Sequence, residues 1–107
     1  ASELIGRVVV EAGAVVERSR IVGPVIVGSG ARIAGSYVGP FTSIAAGCAV
    51  VDSEIEYSIM LPRAAITGVA RIESSLIGHD VEVARAPGTP RAHRLVLGDH
   101  SKVQISS

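Results

Sequence analysis

Ser36-Tyr37-Val38-Gly39-Pro40-Phe41-Thr42-Ser43-Ile44-Ala45-Ala46-Gly47-Cys48-Ala49-Val50 is the stretch that decides the fold of this chain. Three times in these fifteen residues a small residue is followed, two positions on, by a branched aliphatic one: Ser36/Val38, Thr42/Ile44 and Cys48/Val50. Upstream the unit recurs as Ser2/Leu4, Val8/Val10, Gly13/Val15, Ser19/Ile21, Val25/Val27 and Ala31/Ile33. Downstream it continues as Ser53/Ile55, Ser58/Met60, Ala64/Ile66, Ala70/Ile72, Ser75/Ile77 and Val81/Val83, making fifteen consecutive units. A short-period repeat of this length specifies a solenoid, in which no unit buries its apolar face alone.

Taking every third unit sorts the aliphatic residues into three columns. They are Leu4, Ile21, Val38, Ile55, Ile72; Val10, Val27, Ile44, Met60, Ile77; and Val15, Ile33, Val50, Ile66, Val83. Spacing within a column is 16 to 18 residues, mostly 17, as a three-sided coil gives when each turn stacks like residue on like. Side chains alternate along a strand, so the small and aliphatic residues share the inner face and the residue between them points out. Arg20, Arg32, Tyr37, Glu54 and Arg71 hold such outward positions. Ser2, Ser19, Ser36 and Ser53 form an inner ladder in which hydroxyls can bond neighbouring hydroxyls or backbone. Gly28, Gly39 and Gly78 follow an aliphatic residue directly, at corners where positive φ is expected, and Pro24, Pro40 and Pro62 mark further corners. No apolar set recurs at helical spacing over a useful length.

Composition agrees with a narrow core. Hydrophobic residues make up 48% of the 107, yet aromatics only 3%, with no Trp; Val, Ile, Ala and Ser suffice to fill such a prism. Ten basic residues balance ten acidic ones, which gives no electrostatic case for nucleic acid or an anionic membrane as a partner. Gly, Ser and charged residues interrupt every apolar run short of a membrane span, and no charged-then-apolar leader opens the chain. One cysteine excludes an internal disulfide framework and fits a reducing, cytoplasmic setting. Cys48 falls in a small inward slot and is expected to be a buried, inert thiol. The first residue is Ala, so a fragment of a longer protein is expected.

Residues 1–84 are thus assigned to a parallel coil of about five turns. After Val83 the repeat breaks at Ala86-Pro87-Gly88-Thr89-Pro90, a turn-forming segment. Extended alternation resumes afterwards, with Leu95/Leu97 and Ser101/Val103 restoring the unit. Residues 85–107 are expected to form a last partial turn or capping strands of the same domain, since an open solenoid end exposes backbone and core.

The run Arg91-Ala92-His93-Arg94-Leu95-Val96-Leu97-Gly98-Asp99-His100-Ser101-Lys102-Val103 brings a more specific likeness. With Gly35-Ser36-Tyr37-Val38-Gly39-Pro40-Phe41-Thr42-Ser43-Ile44 and Asp52-Ser53-Glu54-Ile55-Glu56-Tyr57-Ser58-Ile59, it resembles the C-terminal region of long-form glucose-1-phosphate thymidylyltransferases. The units themselves resemble those of left-handed parallel β-helix proteins, and this resemblance, not the periodicity, implies the hand. For the parent the resemblance implies Mg²⁺-dependent transfer of a thymidylyl group from dTTP to glucose 1-phosphate, giving dTDP-glucose and pyrophosphate. That chemistry belongs to an N-terminal nucleotide-binding domain marked by a glycine-rich loop leading into Thr-Arg-Leu, and no such motif occurs in this chain. No catalytic, cofactor-binding or metal-ligating residue is therefore assigned, no cofactor is expected in this segment, and the chain is expected to be inactive alone.

Gly28-Ser29-Gly30-Ala31-Arg32 imitates a phosphate loop but lies in register with the coil and leads to no helix. His79 at a corner could serve as the base of a trimeric hexapeptide acyltransferase, the alternative function, although such enzymes carry a long loop that the uninterrupted repeat excludes. An excised structural scaffold is the other alternative. His79, His93 and His100 could suggest a zinc site resembling that of β-helical carbonic anhydrases, but two of the three lie in the non-coil tail and no carboxylate is obviously placed behind them; Asp99-His100-Ser101 cannot converge as a triad in an extended strand. Tyr37, Phe41 and Tyr57 are read as an outward patch for a partner subunit or the absent N-terminal domain. Self-association is expected, either side by side through a coil face at Tyr37 or end to end through the first turn at Leu4 and Val10.

Overall fold

A computed structural model describes residues 2–86, 92–93, 96–97 and 102–106. Its described residues contain no helix, only short strands joined by tight corners. The first turn comprises β1 (Glu3–Ile5), β2 (Val8–Val10) and β3 (Val15–Glu17). The second comprises β4 (Arg20–Val22), β5 (Val25–Val27) and β6 (Arg32–Ala34), and the third β7 (Tyr37–Val38), β8 (Thr42–Ile44) and β9 (Ala49–Val51). The fourth has β10 (Glu54–Glu56), β11 (Ile59–Met60) and β12 (Ala65–Thr67), and the fifth β13 (Arg71–Glu73), β14 (Leu76–Ile77) and β15 (Glu82–Ala86). A sixth set, β16 (Ala92–His93), β17 (Val96–Leu97) and β18 (Lys102–Ser106), follows.

Every third strand pairs in parallel, giving three six-stranded sheets that form the faces of a prism. The first face is β1-β4-β7-β10-β13-β16, the second is β2-β5-β8-β11-β14-β17, and the third is β3-β6-β9-β12-β15-β18. The last set adds one strand to each face, so the C-terminal segment continues the coil as a further turn. The Pro87-Gly88-Thr89-Pro90 bend between β15 and β16 lies outside the described residues.

Register confirms the inner columns. Ile21 lies opposite Val38, Val38 opposite Ile55, and Ile55 opposite Ile72, and all four are fully buried. Each such side chain stabilises the fold by about 1.5–3 kcal/mol relative to exposure. The serine ladder stands beside them and is bonded to backbone. Ser36 Oγ donates to the Ala34 carbonyl (2.8 Å) and accepts from the Ser53 amide (3.2 Å). Ser19 and Ser53 repeat the pattern, Ser53 Oγ accepting from the Val69 amide (3.0 Å). Ser58 and Ser75 begin a second ladder. The hydroxyls thus satisfy corner groups that no strand reaches, and among the described residues no buried side-chain polar atom lacks a partner.

Three details of the expected register are corrected. Val16, not Val15, pairs with Ile33, so the inner unit is Ala14/Val16; Val15 faces out and is 46% exposed. Moving the column by one removes its 18-residue interval and leaves spacings of 16 or 17. In the fifth turn Val69 takes the serine slot, fully buried, and Ala70 is an extra residue before Arg71 instead of the inner small one. Third, the positive φ expected at Gly28 and Gly39 is absent there. A Cβ at Gly28 would sit 2.5 Å from the Ala46 amide nitrogen, and one at Gly39 2.8 Å from the Glu56 Cβ. Close approach of the next turn demands glycine at both.

Left-handed residues recur at all three corners instead; one column of them is Gly13, Gly30, Gly47, Arg63 and Asp80, with φ from 56° to 80°. Where glycine gives way, Arg63 Nε and Nη2 donate to the two Asp80 carboxylate oxygens at 2.7 and 3.1 Å. This paired contact between successive turns offsets part of the left-handed strain.

Candidate functional site

The residues singled out for chemistry fall into separate places. Cys48 is buried between Ala31 and Ala64 in the small column of the third face, its Sγ 3.1 Å from the Leu61 carbonyl. Burial pushes its thiol above the ordinary value, which suppresses the reactive thiolate. His79 sits half-buried at the corner after Gly78; His93 is on β16; His100 and the whole Asp99-His100-Ser101 run lie outside the described residues. Among the described residues no three His, Cys, Asp or Glu side chains converge to hold a metal. In the Gly28-Ser29-Gly30 stretch the first two amides are already engaged. Gly28 donates to the Ile44 carbonyl (2.6 Å) and Ser29 to the Glu11 carboxylate (3.2 Å). A loop that already binds a carboxylate has no cradle left for phosphate.

The outward residues separate the faces by character. On the first face Glu3, Arg20, Tyr37, Glu54 and Arg71 stack in register. Charges of both signs pair there: Arg71 reaches Glu56 of the preceding turn at 3.1 Å and Glu73 of its own strand at 3.4 Å, and Arg20 approaches Glu3 of the preceding turn at 4.0 Å. A shallow groove beside this stack, lined by Glu3, Arg18, Arg20, Tyr37, Asp52 and Glu54 among others, has mixed charge. The third face carries Arg32 and Glu17, 3.9 Å apart, with Ala49, Ala65 and Glu82.

The second face is different. Its outward column is Val9, Ile26, Ser43, Ile59 and Leu76, in continuous register. The four aliphatic members are 48, 51, 49 and 38% exposed in chain order. Along one edge runs the corner column Arg7, Pro24, Phe41, Tyr57 and Ser74, where the Phe41 and Tyr57 rings stack with centroids 5.5 Å apart. Phe41, Ile26, Val9, Pro24 and Ile59 wall an apolar hollow floored by Thr42 and Ser43. Along the other edge run Glu11, Gly28, Ala45, Leu61 and Gly78. Between the first and last turns this face and its edges carry no charged side chain.

The aromatic patch expected at Tyr37, Phe41 and Tyr57 is therefore split. Phe41 and Tyr57 rim the second face, whereas Tyr37 lies half-buried on the charged first face, opposite Arg20 and Glu54. The apolar stripe itself was missed from sequence. Its signal was available in the middle residue of every second-column unit, Val9, Ile26, Ile59 and Leu76, but attention to the small and aliphatic partners hid it. Among the described residues no helix is long and apolar enough to cross a membrane.

No protein-family model matches the chain. Individual proteins do. The chain is 61% identical over 106 residues to a glucose-1-phosphate thymidylyltransferase of Streptomyces griseus, an overlap of 99% of this chain and 30% of that protein. It is 59% identical over 104 residues to the enzyme of the same name from Streptomyces antibioticus, covering 97% of this chain and 29% of the relative. A low-salt glycan biosynthesis nucleotidyltransferase, Agl11 of Haloferax volcanii, is 33% identical over 71 residues, 65% of this chain and 20% of that protein. The chain thus spans about 30% of the length of the thymidylyltransferases it matches. It is a homologue of their C-terminal segment, and that segment folds as a parallel β-solenoid.

Proposed function

We propose that the chain is the non-catalytic C-terminal β-helix domain of a cytoplasmic, glucose-1-phosphate thymidylyltransferase-like enzyme, serving assembly, interdomain packing or regulation. The observation that carries the reading is 61% identity maintained over 99% of the chain to a protein bearing that name. The parent would convert dTTP and glucose 1-phosphate to dTDP-glucose and pyrophosphate in a domain N-terminal to this one. Mg²⁺ for that reaction would be held by the other domain.

A domain that stabilises charge on a transferring phosphoryl group needs preorganised donors around the phosphates. Here the Ser29 amide of the candidate glycine loop already meets a carboxylate, Arg20, Arg32 and Arg71 lie beside acids, and the second face is apolar. That distribution suits packing. The purified 107-residue chain, supplied with dTTP, glucose 1-phosphate and Mg²⁺, should form no dTDP-glucose above a buffer blank. The natural gene upstream of Ala1 should encode a glycine-rich loop leading into Thr-Arg-Leu. Turnover by the purified chain, or an upstream region without that loop, overturns the reading.

A further inference from the structure

We propose that the second face is a homotypic interface, on which a second copy of this chain packs face to face with its solenoid axis parallel to the first. The inference rests on the assembly role proposed above but not on the parent's chemistry.

Three observations lead to this occupant. The first is the apolar stripe of Val9, Ile26, Ile59 and Leu76, extended over turns 1 to 5 and uncharged between its ends. A partner chosen by charge would find nothing to read there, whereas a copy of the same stripe matches it in length and spacing. The second concerns the two edges. A two-fold axis along the solenoid direction brings the Pro24-Phe41-Tyr57 edge of one copy against the Gly28-Ala45-Leu61 edge of the other, turn by turn. The projecting Phe41 then meets small Ala45, Pro24 meets Gly28, and Tyr57 meets the half-buried Leu61. The same operation sets Arg7 of the first turn opposite Glu11, twice by symmetry, and these are the two charges flanking Val9. An isologous contact needs such self-complementarity. An antiparallel arrangement would instead bring Phe41 onto Phe41 and leave Arg7 facing Ser74.

The third observation is area. Five strands at about 4.8 Å stack to about 24 Å, and the molecule measures 20 Å along its shortest dimension. One face therefore presents on the order of 500 Å², and a pair would bury on the order of 1,000 Å², the lower threshold for a specific interface. A reversible dimer is the expected product.

Light scattering and sedimentation of the 107-residue chain should give twice the 11.0 kDa chain mass at high concentration, falling towards one chain on dilution. Ile26→Glu should raise the dissociation constant at least about tenfold while leaving circular dichroism unchanged and melting unchanged at concentrations where both proteins are monomeric, because Ile26 points outward. Arg7→Glu should weaken the dimer, and adding Glu11→Arg should restore it. Under mild oxidation, Ile26→Cys alone should give a cross-linked dimer, since like residues meet across the axis. A constant mass of one chain or three chains overturns the proposal, as does a dimer indifferent to Ile26→Glu. Cross-links that form only when Ile26→Cys is mixed with Ile59→Cys overturn the parallel arrangement. The two proposals fail separately: a dimer that turns over dTTP overturns the non-catalytic reading alone, and an inactive monomer overturns this one alone.

Discussion

At the scale of single residues, each inner position is set by the residue above and below it. Cys48 stands between Ala31 and Ala64, all fully buried in one slot of successive turns. The slot accepts a methyl side chain on either side of it, so Cys48→Ala should cost only about 1 kcal/mol. The substitution should also change the response to alkali. Burial holds the folded thiol above its ordinary value, while in the unfolded chain it ionises near pH 8.5. The wild-type stabilisation from this group is full below that pH and is lost as pH rises through the folded value. Melting temperatures measured from pH 7 to 10 should decline more steeply for the wild type than for Cys48→Ala; parallel curves would refute the assignment.

The corners control the elements, because strands of two or three residues cannot stand without them. One corner repeats left-handed backbone at Arg18, Gly35, Asp52 and Gly68, with φ of 46°, 58°, 49° and 67°. Asp tolerates this region and Gly is at home in it, but Arg pays about 1–2 kcal/mol for it. Arg18→Gly should therefore stabilise the coil by up to about 1 kcal/mol, the gain being trimmed by the extra freedom of glycine in the unfolded chain. A thermal melt measures it, and a lower melting temperature would show that the Arg18 side chain contributes more than its backbone costs. The fifth turn shows the converse adjustment. Val69 replaces the ladder serine and Ala70 is added, so the Ser53 hydroxyl still finds an amide, that of Val69 at 3.0 Å.

Across the whole molecule, a solenoid's stability depends on position along its axis, since each turn contacts only its neighbours. Leu4 and Ile55 belong to the same inner column, yet Leu4 is half exposed in the first turn and Ile55 is closed in from both sides. Leu4→Asp should then cost less than about 1 kcal/mol. Ile55→Asp puts an unpaired carboxylate into a dry core and should abolish folding. Circular dichroism of the two variants decides the matter: equal losses would mean that the first turn is covered as completely as the fourth.

The amino-acid sequence determined the architecture because its information is periodic. Small and aliphatic residues two apart, returning every 16 or 17 positions, allow only a three-sided parallel coil, and the buried columns Ile21-Val38-Ile55-Ile72 and Ser19-Ser36-Ser53 follow from that spacing alone. Where the pattern is locally ambiguous, it misleads. Val15 and Val16 are equally apolar, and only pairing with Ile33 assigns the inner one; Val69 and Ala70 are likewise resolved by which amide reaches Ser53. The reason for each glycine was also tertiary, since the obstacle at Gly28 is the backbone of Ala46, eighteen residues away. The apolar face belongs to the same class. Val9, Ile26, Ile59 and Leu76 are unremarkable singly, and they make a surface only when the coil stacks strands about 4.8 Å apart.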